Sequence, residues 1–317
     1  MTAPRPVRWG FLGAGYVATR ALAPAVHAAE GATLQVVGAR DPGRAAALEP
    51  VRTVASYEAV CAADDVDVVY VALPNSDHLP WVLAALRAGK HVLCEKPLGL
   101  DATEATRMAD EAATAGRLLV EAAWNRWHPR TRRAQALVVG AGGPRSVRSR
   151  FTFSGVPEGN YRLDPDRGGG ALLDVGCYAV AAARWALGGD VSVLSAQQRR
   201  GRTGVDLTTT AALTAGDSRA EVVASIDQPE SQALRIEAPG LQVELPDATF
   251  TSWRAPSVLR VVEDGRLREE AFVPCDAYLL MVEAVSARVA GRDAYLLPVT
   301  ESVAVARTLD AIAASAA

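Results

Sequence analysis

The sequence contains very little lysine. Of its 33 basic residues, only Lys90 and Lys96 are lysines, and all the others are arginines. A buried lysine can change its protonation state, whereas an arginine stays charged, so the two are not interchangeable in a chemical site. Codon bias in a GC-rich genome accounts for the scarcity itself. It does not explain why these two lysines remain, so their positions are of interest.

Long apolar runs and blocks of like charge are also missing. The longest apolar stretches, such as residues 66–73, end well before the roughly 20 residues that a membrane span needs. A net charge of -3 without Lys/Arg clusters gives no electrostatic footprint for nucleic acid or anionic membranes. No apolar leader segment is visible near the N-terminus. We therefore expect a soluble protein with neither nucleic acid nor membrane among its partners.

Cysteine is scarce too, with four residues: Cys61, Cys94, Cys177 and Cys275. They lie far apart, without a C-x-x-C pair, and no histidine cluster shows metal-ligand spacing. We expect reduced, mostly buried thiols in a cytoplasmic protein, and no metal site.

Apolar runs alternate with helical patterns over residues 1–122. Continuous apolar runs predict strands buried on both faces of a parallel sheet. The predicted strands are 7–12, 35–39, 66–72, 91–94 and 118–122, and the predicted helices are 16–29, 43–49, 56–63, 78–88 and 101–115. This alternation predicts a doubly wound α/β domain of the Rossmann type, whose ligand crevice lies at the carboxyl ends of the strands.

Residues 123–317 have a different pattern, dominated by alternating strand-like segments. The predicted strands are 146–153, 191–198, 208–213, 219–226, 232–237, 241–245, 258–263 and 267–273, and the predicted helices are 130–140, 171–187, 276–290 and 301–314. We expect an α+β second domain with a mainly antiparallel open sheet that binds substrate. One face of such a sheet needs a cover, so a homo-oligomer, a dimer or a tetramer, is expected.

A glycine-rich turn follows the first strand. Gly13 and Gly15 belong to a G-x-G-x-x-A pattern, continued by Tyr16 and Val17, that opens the first helix. The glycines permit a tight turn and the close approach of a pyrophosphate to a helix N-terminus. The context of strand, turn and helix predicts a dinucleotide site.

The choice of dinucleotide depends on the register at Ala39, Arg40 and Asp41. An acid at the end of the second strand would hold the ribose 2′-hydroxyl of NAD. If Ala39 takes that place, Arg40 is free for the 2′-phosphate of NADP, whereas Asp41 there would favour NAD. Because Asp41 falls just outside the strand, we expect NADP(H) rather than NAD(H).

Three further motifs resemble those of the Gfo/Idh/MocA oxidoreductases. They are P-N-S-D-H at 74–78, E-K-P at 95–97 and G-G-G-A-L-L-D-V-G-C-Y at 168–178. The resemblance covers nearly the whole chain. It implies an NAD(P)-dependent enzyme acting on CH-OH groups, with catalytic residues Lys96, Asp174 and Tyr178.

The residue chemistry agrees with this implication. Lys96 follows a strand at the crevice, and Pro97, with its fixed φ and a cis bond open to it, would hold the lysine in one orientation. Asp174 and Tyr178 are four apart on one helix and so face the same way. The pKa values of free lysine and tyrosine are about 10, which is too high for proton exchange at neutral pH. Burial must therefore lower the pKa of Lys96, and the charge of Lys96 must lower the pKa of Tyr178. Whether Lys96 or Tyr178 transfers the proton stays open, because many relatives carry histidine at the second position.

The resemblance also implies roles for other residues. Cofactor contacts are expected from Leu73, Pro74, Asn75, His78, Glu95, Lys96 and Asn125. His78 is alternatively a cap of the following helix. Substrate contacts are expected from Arg126, Asn160 and Arg162, the last of which would alternatively tie its own loop. Lys90 falls at the opposite end of its strand, and no chemistry is assigned to it.

These features predict a cytoplasmic NADP(H)-dependent oxidoreductase that moves a hydride between nicotinamide and a sugar or polyol-like alcohol or carbonyl. Within the branch that the asparagine and arginine of 160–162 resemble, an aldose 1-dehydrogenase or dihydrodiol dehydrogenase is expected. A ketoreductase of deoxysugar (nucleotide-linked) substrates is the alternative. Two rivals belong to other classes: an NAD-dependent glycosidase that recycles bound cofactor, and a non-catalytic dinucleotide-binding regulator.

Overall fold

The computed structural model describes residues 5–246 and 248–316, which pack into two compact units. The first unit contains residues 5–99, 103–124 and 276–303, and the second contains 100–102, 125–275 and 304–316. The predicted division was 1–122 and 123–317. The larger difference lies in residues 276–303, which belong to the first unit, and a smaller one in residues 100–102, which belong to the second. Trp9 Nε1 there donates a hydrogen bond to Ser286 Oγ at 3.1 Å, and Trp124 stacks on Tyr278.

The first unit is built on a six-stranded parallel sheet in the order β3-β2-β1-β4-β5-β6. Its strands are β1 (Val7–Leu12), β2 (Ala32–Gly38), β3 (Arg52–Val54), β4 (Val68–Val71), β5 (His91–Cys94) and β6 (Leu119–Glu121). Its helices are α1 (Ala23–Ala28), α2 (Pro42–Ala46), α3 (Tyr57–Cys61), α4 (His78–Arg87), α5 (Ala102–Ala115) and α8 (Ala277–Val289). Strands β1 and β4 have almost wholly buried side chains because helices cover both faces of the sheet. The predicted Rossmann architecture is confirmed.

The second unit is built on an eight-stranded sheet in the order β14-β13-β12-β11-β7-β10-β9-β8. Only the β7–β10 pair is parallel. The strands are β7 (Ser146–Thr152), β8 (Ser192–Arg200), β9 (Asp206–Ala215), β10 (Ser218–Ser225), β11 (Ser231–Ala238), β12 (Leu241–Leu245), β13 (Ser257–Glu263) and β14 (Arg266–Phe272). Helices α6 (Pro129–Gly140) and α7 (Cys177–Leu187) pack on this sheet, and α9 (Val299–Ser315) closes the chain. The predicted mainly antiparallel sheet is confirmed.

The segment Pro165–Leu187, which includes α7, is the most apolar helical stretch. By length and composition this segment is long and apolar enough to cross a membrane. The sequence alone predicts no segment of this length. Within the structure, however, 72% of its apolar window is buried, and Ala179, Val180 and Ala183 belong to the core of the second unit. Core helices of globular proteins pass the same test of length and composition.

All four cysteines are free thiols, and all but Cys275 are buried. Burial raises the pKa of Cys61 to about 11, so this thiol is protonated and unreactive. Among residues 5–246 and 248–316, no group of three or more His, Cys, Asp or Glu side chains is arranged to hold a metal ion.

Candidate active site

The turn after β1 is shaped by a close approach to the chain that follows β4. Gly13 has a φ of 95°, and a Cβ there would lie 2.7 Å from the carbonyl oxygen of Ala72. Only glycine fits such a position. The Tyr16 side chain is exposed, and after Val17 the first helix continues through a π turn, Ala18–Leu22. This tight turn at a helix start is a suitable cradle for a pyrophosphate.

The residues after β2 resolve the register on which the choice of dinucleotide depends. Ala39 is buried and Arg40 is exposed. Asp41 caps α2, because its Oδ1 accepts hydrogen bonds from the backbone N–H groups of Gly43 at 2.8 Å and Arg44 at 3.2 Å. The Asp41 carboxylate is therefore engaged by its own helix, while the Arg40 guanidinium faces solvent. This arrangement fits a 2′-phosphate better than a 2′-hydroxyl.

Arg44 is a residue that the sequence reading did not single out. Its Nη2 donates a hydrogen bond of 2.7 Å to the carbonyl oxygen of Ala14, inside the glycine turn. The contact ties α2 to the glycine turn. The available signal was the position of Arg44 in the helix that follows Arg40 and Asp41.

Replacing Arg40 with aspartate should weaken NADPH binding by about 10- to 100-fold, because a charge-assisted contact with phosphate is lost. The affinity for NADH should change little, since NADH has no 2′-phosphate. Fluorescence titration of both cofactors measures this ratio. Arg117→Asp makes the same charge change on an exposed arginine after α5 and is the matched control. An unchanged NADPH affinity in Arg40→Asp would remove Arg40 from the site.

His78 links the two loops that follow β4 and β5. Its Nδ1 lies 2.9 Å from the carbonyl oxygen of Pro97, and its Nε2 lies 3.0 Å from that of Leu73. The ring is fully buried, and burial lowers its pKa, so a neutral ring donates to one of the two oxygens. The capping position of α4 belongs to Asp77. The N-cap residue of α4 is thus Asp77 and not His78, and the His78 ring holds the two loops together; its contact with the cofactor stays a prediction.

The neighbouring predicted cofactor residues lie in these same loops. Leu73 and Pro74 are half-buried after β4, and Asn75 is buried in the short 3-10 helix Asn75–Asp77. Lys96 is half-buried after β5, and the Lys96–Pro97 bond is cis. The sheet order places β4 beside β5, so their carboxyl ends bring these two loops to one edge of the first unit.

Glu95 is held by the chain itself. Tyr70, on β4, donates from its hydroxyl to Glu95 Oε1 at 2.6 Å, and the Lys96 N–H donates to Oε2 at 3.3 Å. Burial raises the pKa of Glu95, while the Tyr70 hydrogen bond and the Lys96 charge act in the opposite direction and Glu121 adds to the rise. Both carboxylate oxygens accept hydrogen bonds, so Glu95 fixes the backbone at Lys96 and places a carboxyl group beside it. Tyr70 was not found from the sequence, where it is one residue of an apolar run.

Tyr70→Phe removes one donor to the Glu95 carboxylate and should raise the pKa of Glu95 further. Since the ionised carboxylate favours the charged form of Lys96, we expect the acid limb of the kcat/KM profile to move to higher pH. Initial rates across a pH series measure the shift. Tyr57→Phe, which alters a tyrosine packed on Trp81, is the control. An acid limb that does not move would show that Glu95 ionisation has no part in the reaction.

In the second unit, the loop of residues 160–170 and the start of the helix before α7 form a charged cluster. Arg162 Nε donates to Asp174 Oδ2 at 2.6 Å, and the Asp174 side chain is only 7% exposed. The Asn160 side chain accepts from the Arg162 N–H at 3.0 Å. Burial lowers the pKa of Arg162, but the charges of Asp174, Tyr161 and Tyr178 raise it more. Arg162 therefore stays charged and neutralises Asp174.

Tyr178 lies on the first turn of α7, after the π turn Leu172–Gly176. π turns occur often at functional sites. Its ring packs against Phe151 and Phe250, with centroids 5.7 Å and 6.0 Å away. The charge of Tyr178 contributes to the raised pKa of Arg162. The predicted Asp174 and Tyr178 thus lie in one cluster, together with Arg162.

Two predicted residues, Asn125 and Arg126, belong to the short 3-10 helix Trp124–Arg126 that follows β6. Both are buried. Lys90 lies before β5, at the end of the sheet away from the glycine turn. Its buried Nζ donates to the carbonyl oxygens of Ala63 at 2.6 Å and Val66 at 3.0 Å, which is a structural role.

A glycine turn after the first parallel strand, a lysine after the fifth, and an acid and a tyrosine on one helix of a second α+β unit define an NAD(P)-dependent oxidoreductase. Family models agree. Residues 7–122 match the model of the Gfo/Idh/MocA oxidoreductase family with an NAD-binding Rossmann fold, and residues 131–242 match the model of the Gfo/Idh/MocA C-terminal domain. The chain belongs to the Gfo/Idh/MocA oxidoreductase family.

Individual relatives resemble most or all of the chain. It is 38% identical to D-xylose 1-dehydrogenase (NADP(+)) 2 of Haloferax volcanii, over 97% of each sequence. It is 39% identical to a dTDP-3,4-didehydro-2,6-dideoxy-alpha-D-glucose 3-reductase of Streptomyces antibioticus, over 64% of this chain and 63% of the relative. Among solved structures, a 3-ketoreductase of Actinomadura kijaniata in complex with NADP and TDP-benzene superposes with a TM-score of 0.91, at 29% identity and 98% coverage of both chains.

Proposed function

We propose that this protein is an NADP(H)-dependent oxidoreductase that interconverts an alcohol and a carbonyl on a sugar or polyol-like substrate, with an aldose 1-dehydrogenase as the first candidate. Full-length similarity to an NADP-linked D-xylose 1-dehydrogenase carries the proposal. The exposed Arg40 beside a helix-capping Asp41 supports the choice of NADP(H).

A nicotinamide dinucleotide held at the Gly13–Gly15 turn and Arg40 would supply the hydride chemistry between the carbinol and the carbonyl carbon. The remaining tasks belong to the protein. Lys96 polarises the reacting oxygen, and Tyr178 or Lys96 exchanges its proton. Within the second unit, the charge of Arg162 interacts electrostatically with Tyr178.

We propose that Arg162 acts mainly by orienting Asp174. Its Nε is committed to Asp174 Oδ2, and the Asn160 side chain fixes its backbone. The Asp174 carboxylate is then held in a defined orientation, and we propose that it accepts a hydrogen bond from a substrate hydroxyl. Recognition of hydroxyl groups by such charge-assisted hydrogen bonds is directional and suits a polyol.

A ketoreductase acting on a nucleotide-linked deoxysugar is the second candidate. Two observations favour it: the partial identity to the Streptomyces antibioticus 3-reductase and the close superposition on the Actinomadura kijaniata 3-ketoreductase. The similarity to the Streptomyces antibioticus 3-reductase spans about two thirds of each chain, whereas the similarity to the xylose dehydrogenase spans nearly the whole of both chains. The aldose dehydrogenase is therefore the leading proposal.

A substrate screen that follows the absorbance of NADPH tests the proposal. Aldoses and diols are supplied with NADP+, and ketoses and nucleotide-linked keto sugars with NADPH. We expect net turnover with an aldose, and faster turnover with NADP+ than with NAD+. Turnover only with nucleotide-linked keto sugars would support the second candidate. NAD retained through purification without net turnover would indicate the glycosidase, and NADPH binding without turnover would indicate a regulator.

We also propose a homo-oligomer and a cytoplasmic location. Helices α6 and α7 pack on the eight-stranded sheet. Arg148 and Arg150 of β7 and Glu221 of β10 are exposed. These exposed side chains mark a sheet face that a second subunit would cover. The four free thiols are compatible with a reducing compartment. Light scattering coupled to gel filtration should show a mass that is a multiple of the 33.3 kDa chain.

A further inference from the structure

The helix that carries Asp174 and Tyr178 begins without a capping side chain of its own. It follows Gly168, Gly169 and Gly170, and no side chain of its first residues caps it. The first N–H groups of a helix have no acceptor within that helix. A helix that begins inside the protein therefore needs an acceptor from elsewhere in the fold.

Asp206, the first residue of β9, supplies that acceptor. Its Oδ2 accepts from the backbone N–H of Leu172 at 2.8 Å and from the hydroxyl of Thr209 at 2.6 Å. The Asp206 residue is only 9% exposed. A carboxylate at this end of a helix is also favoured by the helix dipole. The start of the helix is thus fixed to a strand that lies 34 residues further along the chain.

The glycine run fits closely around this contact. Gly170 has a φ of 112°, and a Cβ there would overlap Asp206 Oδ1. A Cβ on Gly169 would lie 2.6 Å from the carbonyl oxygen of Arg162. Within the second unit, these glycines let the helix approach Asp206 on one side and the Arg162 loop on the other.

The same residues connect Asp206 to the candidate catalytic groups. The Gly170 N–H donates to the carbonyl oxygen of Arg162 at 2.9 Å, and the Asp174 N–H donates to that of Gly170 at 3.1 Å. Arg162 in turn holds the Asp174 side chain. Any displacement of the Gly170–Leu172 turn therefore moves Asp174 directly, and moves Tyr178 through the helix.

We propose that Asp206 is a positioning residue for the reaction, whose buried carboxylate fixes the helix start that orients Asp174 and Tyr178. This inference rests on the proposed function, because only a reaction at Asp174 and Tyr178 gives the positioning a catalytic meaning. Burial raises the pKa of Asp206, whereas the Thr209 hydroxyl and the Leu172 N–H favour its ionised form. No contact with substrate is assigned to it.

Three variants of the full-length protein test the proposal. Asp206→Ala removes both hydrogen bonds and should lower kcat about 100-fold, the loss expected when reacting groups are misplaced by about 1 Å. Asp206→Asn keeps an oxygen that accepts from Leu172 and should recover most of that loss. Thr209→Val leaves the Leu172 bond in place and should change kcat by less than about threefold. The KM for NADP(H) should be unchanged in all three, because the glycine turn belongs to the first unit.

A merely structural role would lower the melting temperature of all three variants and leave kcat per folded molecule unchanged. Asp206→Ala with kcat within about threefold of the wild type overturns the proposal. If Asp206→Ala does not fold, Asp206→Val takes its place, because valine also removes the acceptor for the Leu172 N–H: a kcat per folded molecule within about threefold of the wild type then overturns the proposal.

A crystal structure of the Asp206→Ala or Asp206→Asn protein gives a readout that does not need activity. We expect a shifted Gly170–Asp174 segment and a longer Arg162–Asp174 distance in the alanine variant, and a smaller shift in the asparagine variant. An unshifted helix start in the alanine variant overturns the proposal. A wild-type protein that turns over no substrate would instead refute the proposed function, and the crystal structure would still decide the role of Asp206.

Discussion

Lys96→Ala is expected to reduce kcat about 1000-fold with little change in NADPH affinity, because it removes a group that polarises the reacting oxygen or transfers its proton. Lys96 lies directly after Glu95, whose two carboxylate oxygens are held by Tyr70 and by the Lys96 N–H. This arrangement fixes the backbone from which the lysine extends. Steady-state kinetics on the substrate identified in the screen measures the loss.

The matched variants separate the explanations. Lys96→Arg keeps the charge but cannot exchange a proton, so partial recovery would assign polarisation to Lys96, and no recovery is expected if it transfers the proton. Lys90→Ala removes the other lysine of the chain. It removes the Nζ donor to the carbonyl oxygens of Ala63 and Val66 and should cost about 1–3 kcal/mol of stability, while kcat per folded molecule stays constant. Lys96→Ala with nearly full kcat would contradict the assigned role.

Tyr178→Phe is expected to reduce kcat about 100-fold and to remove one limb of the pH profile of kcat, since the phenol no longer exchanges a proton. The fold should be kept, because phenylalanine retains the ring that packs against Phe151 and Phe250. A pH series of kcat for the wild type and the variant measures both effects.

Tyr161→Phe is the control for this second substitution, because it removes a phenol hydroxyl from the neighbouring loop and keeps the ring over which the Arg162 guanidinium lies. We expect its pH profile to match that of the wild type. If Tyr178→Phe keeps both its kcat and its pH profile while Lys96→Ala does not, the proton passes through Lys96, and Tyr178 is a packing residue.

The fold could be predicted from the sequence wherever apolar runs mark buried strands. The bounds predicted for β1, β5 and β12 are those of the structure. The strand that was missed, β3, is a three-residue edge strand, Arg52–Val54, with two exposed side chains. It has no apolar run to reveal it. The packing of α8 in the first unit was missed as well, because periodicity identifies a buried face but not the surface that buries it.

The candidate site shows the same limit at the level of single residues. Motif spacing identified Gly13, Lys96 and Asp174 as candidate site residues. Their supporting contacts come from residues distant in sequence: Tyr70 is 25 residues from Glu95, and Asp206 is 34 residues from Leu172. Such pairings leave no local pattern. They depend on which strands become neighbours in the folded sheet.

His78 and the π turns illustrate a second reason. His78 fits a cofactor-loop motif, yet its ring is buried between two carbonyl oxygens, and burial is a property of the whole fold. The sequence pattern also predicted regular helices at 16–29 and 171–187, where the structure has a π turn in the first turns of each. The apolar period of a helix is too coarse to show one inserted residue.

The most direct test of the account is the fate of the hydride. An aldose carrying deuterium at its reacting carbon is incubated with the protein and NADP+, and the recovered cofactor is analysed by mass spectrometry and NMR. We predict that deuterium appears at C4 of NADPH in proportion to the sugar oxidised. Oxidised sugar without deuterium in NADPH would contradict the account.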